Sequence, residues 1–293
     1  MSGMSLESQN DRARQTLQQS LTVCVIALLA YLFTTSRIEE TIRTAMAALL
    51  FASLVLGVTN RRSLWLWPLI TLGFLVSLLA RPLDVPNHHW MMTYLSAAIG
   101  LSVLTTSQSE SRIENLQANA RWLVVVLMAF ATMQKVLSPA FIDGTYIGFE
   151  LARGGFAGPI VRQLPFMGDV VAENASLVQQ LHTTSPATLE SVTLTAPFAS
   201  FPIVAYGFTA SILMIEAWLC FAMLLIPKRL ITHLSLISFI VTLAVLRQEV
   251  TFISVVCCLG LFACGRERPY IRAGYALLAV VTAAAVLKTL NVA

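Results

Sequence analysis

The chain has 293 residues, of which 57% are hydrophobic and only 12% are charged, and its mean hydropathy is +0.75. Soluble domains usually carry about 25% charged residues, so this composition excludes a water-soluble globule. The formal net charge is only +4, and the basic residues lie between apolar stretches instead of forming one patch, which gives no support for nucleic-acid binding.

The apolar residues fall into stretches of about 15 to 26, a length typical of transmembrane helices, whereas barrel strands alternate over about ten residues. We therefore predict an all-α fold, a polytopic integral membrane helical bundle with eight or nine transmembrane helices. Two predicted spans, 44–59 and 250–265, are short and could instead be buried or re-entrant helices. The predicted spans are 18–36, 44–59, 63–80, 88–107, 117–137, 199–226, 230–247, 250–265 and 272–290.

The N-terminal segment, 1–17, is polar and carries both signs of charge, and no cleavage site of small residues follows the first apolar stretch. We expect it to be a cytoplasmic segment that precedes an uncleaved first span. In a nine-span arrangement eleven Lys and Arg residues lie on its side of the membrane, against eight on the other, three of which lie in one long loop or just before it: Lys135, Arg153 and Arg162. Long loops cross the membrane largely regardless of charge, so the count predicts a cytoplasmic N-terminus.

The long loop, 138–198, separates spans one to five, 18–137, from spans six to nine, 199–293. The same charge count places this loop on the outer side, periplasmic or lumenal. Its first half mixes aromatic and apolar residues with Gly and Pro, and a structureless loop of this length is uncommon. We expect short helices that lie on the membrane surface or form a cap on the bundle; the alternative is a mobile linker.

The fourth span opens with Asn87, His88, His89 and Trp90. A Trp with a neighbouring His is typical of the membrane interface, whereas adjacent imidazoles could relay protons or bind a polar ligand. Successive helical residues point about 100° apart, so only one histidine can face a central cavity. We predict His88 as a candidate catalytic residue and the other three as candidate ligand-binding residues.

The fifth span ends at Lys135, and the sixth carries Glu216 in the middle of an apolar stretch. Lys135 could extend to the headgroups, or act as a base or a binder of an anionic oxygen if partly desolvated. An acidic residue at mid-membrane is costly, and we favour a protonated Glu216 carboxyl that Ser, Thr or Tyr hydroxyls satisfy, over a proton relay or a ligand contact. Both residues are candidate catalytic residues.

The turn between spans seven and eight contains Arg247 and Glu249. A solvated hairpin is the ordinary interpretation, and the alternative is a guanidinium that grips a carboxylate or carbonyl ligand near His88 and Lys135. The five cysteines lie in apolar spans without Cys-x-x-Cys spacing, which predicts packing residues and no metal site.

Two of these stretches resemble the transmembrane module shared by vitamin K-dependent gamma-glutamyl carboxylase and its bacterial relatives, the HTTM proteins, and more distantly the DoxX-like proteins. The resemblance covers about residues 87–150. It implies a site on the lumenal side, where a histidine and a lysine deprotonate a reduced quinone. The matching residues are Asn87, His88, Leu137, Ser138, Pro139, Phe141, Asp143 and Gly144.

In this alignment Val136 stands at the position of the catalytic lysine, and Lys135 lies one residue early. No large soluble domain follows the last span, so peptide carboxylation is not expected. We expect a protein that binds a quinone- or lipid-like ligand or serves as an accessory subunit of a membrane complex. Its expected partners are the lipid bilayer and a membrane protein, and no cofactor is identified beyond a quinone-type ligand.

The alternative function is an oxidoreductase-type enzyme that acts on a quinone or lipid at the outer face. His88 would be the base or relay, Lys135 or Arg247 would hold an oxyanion, and Glu216 would pass protons. A transporter comes third, because the chain shows no internal repeat and a single mid-membrane charge.

Overall fold

The computed structural model describes residues 6–35, 38–80, 87–106, 108–164, 167–183, 193–247, 249–266 and 268–290. Within these ranges the protein is all-helical, with 83% helix and no strand. The helices are α1 Leu6–Thr34, α2 Glu40–Val55, α3 Arg61–Leu64, α4 Trp67–Ala80, α5 Asn87–Thr105, α6 Ser109–Val136, α7 Pro139–Ile142, α8 Thr145–Ala152, α9 Gly158–Val161, α10 Gly168–Thr183, α11 Phe201–Leu225, α12 Leu230–Leu246, α13 Val250–Ala263 and α14 Pro269–Leu290.

Several of these helices are compatible with a membrane protein. Within the described part of the chain, four stretches are long and apolar enough to cross a bilayer, and three further apolar helices are shorter. The four are Asn10–Phe33, Arg61–Ala80, Ser109–Val136 and Phe201–Leu225, and the three are Leu230–Leu246, Val250–Ala263 and Pro269–Ala285.

Helix α1 begins earlier than the hydropathy pattern predicts. The polar segment 1–17 is helical from Leu6 onward, and Ala13 and Leu17 are buried. The sequence from Leu6 to Thr34 contains no Gly or Pro, so nothing stops the helix from continuing past the apolar stretch. The helix therefore begins inside the polar segment, and the cytoplasmic location of 1–17 stays a prediction.

Clustering of the fold gives two compact units. Unit 1 consists of Met1–Val125, Ala222–Ile240 and Val250–Ala293. Within it α13 packs against α1, α5 and α14. Every residue of α13 from Ile253 to Ala263 is buried, which is typical of a helix that is apolar all round. This burial agrees with the alternative that the sequence left open for 250–265, a helix enclosed by its neighbours.

A buried arginine joins three helices of unit 1. The Arg272 guanidinium donates from Nη1 to the carbonyls of Leu261 and Cys264, at 3.0 and 3.3 Å, near the end of α13. Its Nη2 donates to Ser20 Oγ of α1 at 2.8 Å. A cation at a helix C-terminus is favourable because the last carbonyls are otherwise unpaired, so Arg272 stabilises the contact of α1, α13 and α14.

Unit 2 consists of Val126–Phe221 and Val241–Glu249. It contains most of the long loop, which forms α7 to α10, as the Gly, Pro and aromatic pattern predicts. The side chain of Asn174 donates to the carbonyls of Ala152 and Thr195, at 3.0 and 2.9 Å, and accepts from the Thr195 N–H at 3.0 Å. The mobile-linker alternative is therefore wrong for the described part of 138–198; residues 184–192 lie outside it.

The short helices of unit 2 enclose an apolar core of their own. Its buried members come from α7 to α11 and from the segments between them, and Leu246 at the end of α12 packs on them. The Ala157 N–H donates to the Leu246 carbonyl at 2.7 Å. The core residues include Phe141, Ile147, Leu151, Phe156, Val161, Met167, Val171, Phe201 and Ala205.

Candidate functional site

The central feature of unit 2 is an ion pair between the end of α6 and the middle of α11. Lys135 lies in the last turn of α6, and its Nζ donates to both oxygens of Glu216, at 2.7 Å to Oε1 and 2.8 Å to Oε2. A third, longer contact of 3.5 Å joins Nζ to the Ala131 carbonyl of the same helix. The three donors of the ammonium group are therefore directed toward protein oxygens.

Two expectations from the sequence are corrected here. Glu216 is not satisfied by hydroxyl groups, and the Lys135 ammonium turns to Glu216 instead of extending toward headgroups. The physical reason is that two opposite charges neutralise each other, which lowers the cost of burying either one in an apolar setting. The Glu216 side chain is 8% exposed and the Lys135 side chain 25%, so the pair is open on the lysine side.

The position of Lys135 on its helix can now be compared with that of Val136. The Val136 side chain is 54% exposed, whereas Lys135 contacts another helix of the same unit. Val136 occupies the position of the catalytic lysine in the alignment with the carboxylase module, but in this helix it is Lys135 that points into unit 2.

The turn after α6 places an aromatic ring beside the lysine. Ser138 precedes α7, and Pro139 occupies its first turn, where a missing N–H costs nothing. The Lys135 ammonium lies 5.7 Å from the centre of the Phe141 ring, within the range of a cation–π contact. The Phe141 ring stacks on Tyr146 with centroids 5.9 Å apart.

The Asp-Gly pair of this motif has a structural role. The Asp143 carboxylate accepts a hydrogen bond from the Thr145 N–H at 2.9 Å at the start of α8, and this bond holds the pKa of Asp143 below its usual value. Gly144 has a φ of +81°, and a Cβ there would lie 3.1 Å from the backbone nitrogen of Tyr206. Only glycine fits both conditions.

A second charged cluster in unit 2 contains Arg247, a predicted ligand-binding residue. Its Nη1 donates to Glu150 Oε2 at 3.4 Å, and its Nε and Nη2 donate to Glu249 Oε1 at 3.0 and 2.8 Å. Arg153 Nη2 also donates to Glu150, at 2.6 Å. Arg247 is thus more than a solvated hairpin, but its donors bind the protein's own carboxylates.

Sequence reasoning missed Glu150 and Arg153, which are only 4% exposed and half-buried, respectively. Their spacing of three residues on a short helix, with opposite charges, is the signal that could have found the pair. The cluster contains two cations, Arg153 and Arg247, and two anions, Glu150 and Glu249, so its net charge is zero. Its ion pairs connect the end of α12 to α8 and to the residue that follows α8.

His89 lies in unit 1 and is completely buried. Ser77 Oγ donates to the Phe74 carbonyl at 2.8 Å, so it must accept from His89 Nε2 at 2.7 Å. The other ring nitrogen, Nδ1, then accepts from the Tyr31 hydroxyl at 2.9 Å. This network assigns a neutral imidazole that joins α1, α4 and α5. Both ring nitrogens have protein partners in it, and a ligand-binding role of His89 stays a prediction.

Of the other predicted residues in the fourth span, the structure describes the side chain of Trp90 only. Trp90 has a 51% exposed side chain, as an interfacial position requires. Asn87 and His88 lie in the first turn of α5, but their side chains are outside the described residues. Their roles therefore stay predictions.

No cluster of metal-binding side chains competes with the ion pair among the described residues. They contain no group of three or more His, Cys, Asp or Glu side chains that could hold a metal ion. An open groove of about 270 Å³ lies between α2 and α4 in unit 1. Its lining is apolar and includes Ile42, Met46, Leu72 and Gly73, so it offers no polar chemistry.

Comparison with protein-family models, with characterised protein sequences and with solved structures returns no match. The resemblance to the HTTM and carboxylase module therefore stays a prediction. The function has to be argued from the geometry of the chain itself.

Proposed function

We propose that the protein is a multi-pass membrane protein of eight or nine transmembrane helices, with a cytoplasmic N-terminus and the segment 138–198 on the outer side. The four long apolar stretches and the uneven distribution of Lys and Arg support this arrangement. The enclosed helix α13 is the reason to leave the number at eight or nine.

Within that framework, we propose that unit 2 binds a lipophilic ligand with an oxygen-bearing head, of the quinone or lipid type. The single observation that carries this proposal is the Lys135 to Glu216 pair, in which both carboxylate oxygens lie within 2.8 Å of one ammonium group. Ionisable residues inside a membrane helix are costly and usually functional. A pair that is open on one side offers a donor and an acceptor to a ligand.

The residues next to the pair suit an apolar ligand. On α6, Val136 and Leu137 are 54% and 73% exposed, and on α11 Met214 and Trp218 are 65% and 42% exposed. Residues one and two positions apart on a helix point about 100° and 200° apart, so these side chains make the flanks of the two helices apolar without lining the pair itself. The apolar group beside the ammonium is the Phe141 ring, 5.7 Å from Nζ. A ligand carbonyl could then take the place of the long 3.5 Å contact between Nζ and the Ala131 carbonyl, while a Glu216 oxygen also accepts from a ligand hydroxyl.

The test uses decylubiquinone as the probe and Trp218 as the reporter. Trp218 lies two residues after Glu216, about 3 Å along the axis of α11 and about 200° around it, so it reports a quinone bound at this level of α11. Quinones quench tryptophan fluorescence. We expect saturable quenching in phosphatidylcholine nanodiscs, with the saturable part absent in Trp218→Phe. This difference separates the local signal from that of the other four tryptophans.

The matched control is the double variant Lys135→Met/Glu216→Met, which removes both charges at similar volume and should fold. It should lose the saturable component. Saturable quenching of the same affinity in this variant would place the ligand elsewhere and contradict the proposal.

The second candidate function is the oxidoreductase-type enzyme. The observation in its favour is that Lys135 and Glu216 form an acid–base pair across a bond of 2.7 Å, so a proton can pass between them without movement of heavy atoms. Consumption of reduced decylubiquinone by the purified protein, absent in the double methionine variant, would favour this candidate over binding alone.

A further inference from the structure

We propose that the preferred ligand is a lipophilic aldehyde, which Lys135 captures as a protonated imine with Glu216 as its counter-ion. This inference rests on the proposed function, since it names the ligand class and the chemistry of the same site. It starts from the geometry of one amine, one carboxylate and one aromatic ring.

Lys135 is placed differently from the other lysine whose side chain is described. The chain has three lysines, Lys135, Lys228 and Lys288. Lys228 is exposed, and the Lys288 side chain lies outside the described residues. Lys135 alone of the first two bonds both oxygens of a buried carboxylate.

The carboxylate can supply the reactive form of the amine. An ammonium ion is not a nucleophile, but transfer of one proton to Glu216 along the 2.7 Å bond leaves a neutral amine in place. In an apolar setting the neutral pair competes with the ion pair, because neither charge is solvated. The carboxylic acid so formed can then protonate a leaving hydroxyl.

The reaction balances without a redox partner. The amine nitrogen adds to the aldehyde carbon and gives a carbinolamine, and Glu216 returns its proton to the hydroxyl, which leaves as water. A carbon–nitrogen double bond replaces the carbon–oxygen double bond. The second proton of the amine stays on the nitrogen, so the product is a protonated imine beside the Glu216 carboxylate.

The site keeps its favourable contacts in that product. A protonated imine remains cationic, so it retains the ion pair with Glu216 and the contact with the Phe141 ring, whose centre lies 5.7 Å from Nζ. Its single N–H can bond one of the two carboxylate oxygens. The Glu216 side chain is only 8% exposed, so little water reaches the product from that side, which limits its hydrolysis.

The experiment uses hexadecanal with cyanoborohydride, which reduces a protonated imine to a stable secondary amine. The full chain is placed in phosphatidylcholine nanodiscs, whose headgroups carry no primary amine, and the modified lysines are mapped by peptide mass spectrometry. We expect Lys135 to be labelled at least about tenfold faster than Lys228, since a positioned acid–base partner contributes a factor of about 10² or more.

Two variants sharpen the result. Glu216→Gln should lose this preference, because no counter-ion remains for the cationic product. Lys135→Arg keeps an ion pair with Glu216 but cannot form the imine, so labelling at position 135 should vanish. Equal labelling of Lys135 and Lys228 would overturn the inference, as would undiminished labelling in Glu216→Gln.

The quinone titration separates the two proposals. Saturable quenching at Trp218 without selective labelling of Lys135 would overturn the aldehyde inference and leave the proposed ligand site standing. Loss of both signals would overturn the proposed function as well.

Discussion

The Lys135 and Glu216 side chains act as one electrically neutral unit. A single charge near the centre of a bilayer costs about 2.5 kcal/mol or more, whereas a pair with hydrogen bonds of 2.7 and 2.8 Å cancels most of that cost. The arrangement therefore places a strong donor and acceptor where an isolated lysine or glutamate would be destabilising.

This interpretation predicts unequal effects of single and double substitutions. Lys135→Met leaves the Glu216 carboxylate unpaired and should lower the free energy of unfolding by about 3 kcal/mol, whereas Lys135→Met/Glu216→Met should be close to neutral. Unfolding in mixed micelles with increasing dodecyl sulfate, followed by circular dichroism, measures the difference.

The charge exchange Lys135→Glu/Glu216→Lys is the matched control, because it retains opposite charges at the two positions. It should be more stable than Lys135→Met. If the single methionine variant is no less stable than the double variant, the pair does not compensate a buried charge.

Sequence reasoning identified Glu216 as a costly residue but gave it the wrong partner. The two members of the pair are 81 residues apart in sequence, and hydropathy gives no information about which distant side chains meet. Glu150 shows the same limit for its second partner, because Arg247 lies 97 residues away in the sequence. The energetic cost of burying a charged residue could be predicted from the sequence. The side chains that it contacts could be identified only from the packing of the helices.

Hydropathy predicted the positions of the helices better than it predicted the contacts of single residues. Each predicted span overlaps a helix, although 63–80 includes part of the short α3 as well as α4, since about 20 apolar residues suffice to define a helical stretch. The ends were less certain: α1 extends into the polar segment 1–17, and α2 and α13, with 16 and 14 residues, are shorter than a typical span. Polar residues are good helix formers, so a change in hydropathy does not end a helix.

The turn from α6 to α8 shows how local sequence and long-range packing combine. Pro139, Asp143 and Gly144 set the backbone of the turn, and that part could be predicted from residue type. The direction of Lys135 could not, because one residue on a helix is a rotation of about 100°. The ion pair with Glu216 of α11 determines which of Lys135 and Val136 points into unit 2.

For the whole molecule, the proposed topology makes a directional prediction. Cysteines introduced at two exposed positions, Glu173→Cys in α10 and Lys228→Cys between α11 and α12, should lie on opposite sides of the membrane. A membrane-impermeant maleimide should label the first in intact cells and the second only after lysis. The native cysteines that the structure finds buried should stay unlabelled.

The unmodified chain is the control for background labelling in this experiment. Labelling of Lys228→Cys, but not of Glu173→Cys, in intact cells would show that the orientation is opposite to the proposed one. It would then place the segment 138–198 on the cytoplasmic side.

The most direct test of the ligand site needs no choice of probe. The protein and its Lys135→Met/Glu216→Met variant are purified in parallel from the same membranes, and native mass spectrometry identifies the small molecules that each retains. We predict that the unmodified protein carries a lipophilic compound with a carbonyl or hydroxyl head that the variant lacks. Identical bound molecules in both proteins would contradict a ligand site at Lys135 and Glu216.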